Sequence, residues 1–124
     1  MEHTGAEAGA PLLREVFPSL TAELVSLLEQ EDERDLAVVA RDLRILADCG
    51  CGDDFCQSIR TAPHPRGTPY GPDYRCVPLP ADDGYLVLDV VGGRIVYVEV
   101  LYRPEFRLPS PGAGGRAEPP VREA

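Results

Sequence analysis

The sequence predicts an α+β fold: an antiparallel sheet of about four strands with two or three N-terminal helices packed on one face. Three observations predict it. Apolar residues from Leu13 to Leu27 recur at alternating spacings of four and three, the period of a helix with one buried stripe. Residues 85–103 are rich in β-branched and aromatic side chains and are divided by Gly92-Gly93, the mark of a tight hairpin. Both faces of that hairpin are largely apolar, so it belongs inside a sheet with helices laid against one side.

Taken in order, residues 1–10 are small and polar and read as a flexible N-terminal arm. The helical stripe runs through Leu13, Phe17, Leu20, Leu24 and Leu27, and Pro18 interrupts it. A proline disfavours helical geometry at the residue before it but suits a first helical turn. The expectation is therefore a short opening turn, then a helix from Pro18 to about Gln30. Glu31-Asp32-Glu33 load acids at the start of a second helical segment carrying Leu36, Val39 and Ala40, where they suit the positive end of the helix dipole.

Past Arg41 the apolar residues Leu43, Ile45 and Ala47 alternate with Arg44, Leu46 and Asp48. A strand over about 43–49 is preferred to one more helical turn. Asp53–Thr61 reads as a second strand, with Phe55, Gln57 and Ile59 on one face and Cys56, Ser58 and Arg60 on the other. Residues 62–84 carry six prolines and three glycines, too long a connection to lack structure in a compact domain. A short edge strand over Tyr74–Leu79 is expected there, since an edge tolerates Pro78. A two-residue loop then pairs Val90 with Ile95, Leu88 with Tyr97 and Leu86 with Glu99, which puts Asp89 and Glu99 on opposite faces. One domain over 11–108 and a disordered Pro/Gly-rich tail over 109–124 complete the layout.

Composition narrows the function classes. The apolar fraction of 44% and mean hydropathy of -0.16 fit a folded domain. No apolar run reaches the roughly 18 residues of a membrane helix, and the N-terminus lacks a secretory pattern, so a cytoplasmic location without a membrane partner is expected. All 12 basic residues are arginine, a bias that follows a high-GC bacterial genome. Without lysine, neither Schiff-base chemistry nor a P-loop is available. The net charge of -9 is uneven: residues 1–48 carry 11 acids and 4 arginines, a net -7. Such a surface repels nucleic acid and suits a basic protein.

Cys49, Cys51 and Cys56 fall within eight residues, with Cys76 further on and glycines at 50 and 52. Four cysteines, or three with His64, supply the ligands of a zinc site, though a Cys-x-Cys step is short for two ligands on one metal. The preferred reading is reduced, partly buried thiols in a tight turn, with no cofactor. Zinc held by Cys49, Cys51, Cys56 and Cys76 is the alternative. A thiol enzyme pairing Cys56 or Cys76 with His64 is the third reading, and the acids at 53 and 54 work against its thiolate. In the proline-rich loop Tyr70 and Tyr74, with Arg66 and Arg75, form the candidate partner-binding surface, since tyrosine and arginine are favoured at interface centres.

The runs Cys-Gly-Cys-Gly-Asp-Asp-Phe-Cys (49–56), Thr-Ala-Pro (61–63), Pro-Tyr-Gly-Pro (69–72) and Leu-Asp-Val-Val-Gly-Gly-Arg-Ile-Val-Tyr-Val-Glu-Val-Leu (88–101) resemble small proteins encoded by high-GC bacteria, a family to which no activity is attached. The resemblance covers about residues 12–108. In size, acidity and α+β make-up the chain is also similar, as a class, to immunity proteins that neutralise bacterial toxins. The net -7 of residues 1–48 and the loop bearing Tyr70, Tyr74, Arg66 and Arg75 predict a non-enzymatic, acidic protein-binding module. The class likeness makes an immunity-like inhibitor of a basic partner its expected form.

Overall fold

Proline and the apolar stripe set the first layer. The computed structural model describes residues 9–50, 52–64 and 68–108; most of the expected arm, the whole expected tail, Cys51 and Arg66 lie outside them. Helix α1 (Leu13–Val16) stops at Phe17, and α2 (Pro18–Gln30) starts with Pro18 in its first turn. Of the stripe that the spacing predicts, Leu13, Leu20 and Leu24 are fully buried, Leu27 is buried and Phe17 half-buried; Leu28, outside that stripe, is fully buried as well. The acids 31–33 span the junction: Glu31 and Asp32 close α2, and Glu33 caps the start of the next helix, its carbonyl accepting from Ala37 N–H at 3.0 Å. Asp32 takes a left-handed φ of 61°, Glu33 N–H donates to Leu28 O at 2.8 Å and Asp32 N–H donates to Glu29 O at 3.1 Å. This is a Schellman cap with aspartate where glycine is commonest. Helix α3 (Arg34–Ala40) follows.

Five strands form the second layer where about four were expected: β1 (Ala47–Asp48), β2 (Ile59–Arg60), β3 (Tyr74–Leu79), β4 (Tyr85–Val91) and β5 (Arg94–Leu101). All neighbours are antiparallel, in the order β1-β2-β5-β4-β3. The strand expected over 43–49 shortens to two residues because its first half pairs elsewhere. Leu13 N–H donates to Leu43 O and Ile45 N–H to Pro11 O, tying it to the entry of α1. The strand expected over 53–61 likewise begins as a turn, closed by Cys56 N–H on Asp53 O at 3.2 Å. A single bridge at Cys56 and the ladder at Ile59–Arg60 follow.

The β4–β5 hairpin turns on Gly92 and Gly93 with φ of 57° and 81°, both positive as a type I′ turn requires. Val90 pairs with Ile95 as expected, but Asp89 then pairs with Tyr97 and Leu88 with Val98. Val96 is the extra residue of a bulge. Beyond the bulge every β5 side chain changes face relative to the expected register, so Val98 and Val100 join Leu86, Leu88 and Val90 in the core under the helices. Asp89 and Glu99 therefore share a face, correcting the expectation that they oppose. Among the described residues no helix is long and apolar enough to cross a membrane, and the sheet's second face carries no helix.

Candidate functional site

That second face holds the chemistry. Cross-strand pairing lines up Arg60 of β2, Tyr97 of β5, Asp89 of β4 and Cys76 of β3 in one row. The Arg60 guanidinium lies 4.6 Å from the centre of the Tyr97 ring, a cation–π contact. Burial pushes the Tyr97 phenol up to about 12, with the nearby Cys49 and Cys56 adding to the shift and Ser58 and Arg60 opposing it.

At one end of this row the proline-rich loop folds over the sheet. His64, Tyr70 and Tyr74 stack in sequence, with ring centres 4.5 Å and 5.0 Å apart. Both tyrosine hydroxyls donate to Asp89, Tyr70 at 3.1 Å and Tyr74 at 3.0 Å. Burial, then the Asp89 carboxylate, raises Tyr74 to about 12. Tyr70 is raised chiefly by burial, against the opposing Arg60. The His64 ring also bonds to Thr68 O. Tyr70 and Tyr74 thus come together as expected, but their polar ends are engaged within the chain. Arg75 does not join them. It reaches the helical side and grips Glu33 through two bonds of 2.9 Å and 2.8 Å, which raises the arginine and lowers the carboxylate.

The cysteines divide. Cys49 and Cys56 approach to 3.3 Å between sulfurs across the turn of positive-φ glycines 50 and 52. Cys76 stands on the far edge, opposite Asp89, whereas Cys56 is bridged to Leu101. Strand spacings place Cys76 and Cys56 about 14 Å apart across the sheet and about 13 Å along it. One ion cannot take both in this arrangement, so the fold does not bring Cys76 together with Cys56 as the four-cysteine zinc reading requires. Among the described residues no group of three or more His, Cys, Asp or Glu is placed to hold a metal.

A second aromatic cluster occupies the other end of the sheet, and sequence reasoning missed it. Phe55 stacks on Tyr102 at 5.5 Å and 27°, and Tyr85 meets Tyr102 edge-on at 6.0 Å. All three are exposed, at 44%, 58% and 59% for Phe55, Tyr102 and Tyr85. Tyr102 holds a φ of 61°, costly for a bulky residue. It is locked there by its N–H on Phe55 O and by Arg103 N–H on Gln57 Oε1, both 2.7 Å. Arg103, itself buried, binds Glu23 through two bonds and also Glu105 and Asp83 O. Exposed aspartates 53 and 54 precede Phe55, and 82 and 83 precede Tyr85. The available signal was the two Asp-Asp pairs, each set just before an aromatic residue.

Comparison with family models, with curated proteins and with solved structures returned no match.

Proposed function

We propose that the chain is a non-enzymatic protein-binding module, an immunity-like inhibitor that takes a basic segment of its partner on the Phe55–Tyr85–Tyr102 cluster. The observation that carries this reading is three exposed, mutually packed aromatic rings built around a strained tyrosine. Strain of this kind persists only where the surroundings impose it, and it gathers at functional sites. Exposed aromatic faces attract arginine or lysine side chains, and the four neighbouring aspartates add negative charge at the same end, offset in part by Arg107, which donates to Asp54 O.

The cluster suits this role better than the acidic helices do. Glu23, Glu33 and Asp42 are already engaged by Arg103, Arg75 and Arg14, which spends part of the helical charge internally. The Tyr70–Tyr74 pair adds a flank to the same open face.

The test is capture of partners from the cells that make the protein, using the wild-type chain and a Phe55→Ala/Tyr85→Ala/Tyr102→Ala variant shown to be folded by circular dichroism. A basic protein retained by wild type, lost from the variant and released steeply by salt is the expected result. Equal retention by both proteins refutes the assignment to this cluster.

A further inference from the structure

We infer that Cys49 and Cys56 form a reversible intramolecular disulfide, a redox site separate from the aromatic binding surface. The two sulfurs already sit 3.3 Å apart. Both residues are present as half-buried thiols, and they line a small concavity of about 70 Å³ with Gly50, Gly52 and Ser58. Their partial exposure lets an oxidant reach a sulfur from solvent, and glycines 50 and 52, both at positive φ, give the backbone between them freedom to adjust.

The oxidant is a small-molecule disulfide such as oxidised glutathione. One thiolate of the pair attacks a sulfur of the oxidant, its disulfide bond breaks, and one small thiolate leaves. The second protein thiolate then attacks the resulting mixed disulfide, forming the Cys49–Cys56 bond and expelling the other small thiolate. The two protons lost by the cysteines end on the two released thiols. The protein loses two electrons, and the oxidant gains them.

Closure has a structural consequence. Cys56 Sγ also contacts Ser58 Oγ at 3.3 Å, and Ser58 Oγ accepts from Val100 N–H at 2.9 Å. The disulfide ties the segment after β1 to the turn that carries Phe55, which meets β5 at the Cys56–Leu101 bridge, and it removes the S–H that Cys56 donates to Ser58. Cys76, far across the sheet, takes no part.

The experiment is equilibration of the full chain in buffers of graded oxidised-to-reduced glutathione ratio, alkylation of the remaining thiols, and peptide mapping. Of the four cysteines, two are expected to become protected, recovered as one Cys49–Cys56 linked peptide that reductant reverses. The Cys51→Ser and Cys76→Ser variants are expected to give the same linkage at the same ratio. A dominant disulfide involving Cys51 or Cys76 overturns the proposal. So does retention of four alkylatable thiols at the most oxidising ratio.

Discussion

Tyr102 concentrates the logic of the molecule in one residue. Its left-handed φ costs about 1–2 kcal/mol for an ordinary L-residue, yet its side chain gains little burial in return, being 58% exposed. Replacing it with glycine removes the strain and adds about 0.5–1 kcal/mol of unfolded-chain entropy. Tyr102→Gly is therefore expected to hold stability within about 1 kcal/mol of wild type while weakening capture of the basic partner. A urea titration and the capture assay check the two halves. A large loss of stability would mean that the ring serves the fold. Little of this was legible beforehand: nothing in Leu101-Tyr102-Arg103 announces a positive φ, because the constraint comes from Phe55 and Gln57, far away in the sequence. Asp89 teaches the same point. Its partners are two tyrosines brought over by the proline-rich loop, a meeting that depends on how that loop folds.

At the scale of elements, local patterns in the sequence fix the structure wherever proline, glycine or apolar spacing acts within a few residues. Pro18 sets the start of α2, β3 forms over Tyr74–Leu79 at the sheet edge, where Pro78 is tolerated, and the paired glycines set the hairpin turn. The bulge at Val96 was not readable. Thr61, from the chain just after β2, holds it by donating its N–H to Val96 O at 3.0 Å and its hydroxyl to Ile95 O at 2.8 Å. One third-party residue thus redirects half of β5, and with it decides which side chains face the helices. The consequence is measurable. Leu88, fully buried opposite Val98, should cost about 2–5 kcal/mol when cut to alanine. Val38 on α3, 60% exposed, should cost no more than about 0.5 kcal/mol. Denaturant unfolding of the two variants checks that Leu88 lies in the core and Val38 outside it.

For the whole molecule, layers and charge are coupled through arginine. Arg103 links α2 through Glu23 to the turn before β4 and to the 3₁₀ turn Pro104–Phe106, whose Phe106 packs edge-on against Phe17. Its carboxylate partners drive its own pKa further upward. The phenols give the molecule its pH response. Tyr74 and Tyr97 are both held at about 12, above the ordinary value of about 10, so the folded chain keeps protons that the unfolded chain releases. Their contribution to stability is complete below pH about 10 and is lost as pH rises through about 12. Urea midpoints are expected to fall across that window. Tyr97→Phe and Tyr74→Phe should each flatten the decline, to a similar extent. An unchanged slope in Tyr97→Phe would contradict the burial assigned to this ring.

The sequence by itself determined the α+β class, the helix-then-sheet order, the hairpin and its turn, because these follow from spacing, proline and glycine within a few residues of chain. Tertiary structure decided the rest: the face on which Asp89 and Glu99 meet, the engagement of Arg75 by Glu33, the parting of Cys76 from Cys49 and Cys56, and the exposed ring cluster around Tyr102. The physical reason is common to all four. Each depends on strand pairing or on a hydrogen bond between residues distant in the chain, and one extra residue in one strand is enough to change the face of every side chain beyond it.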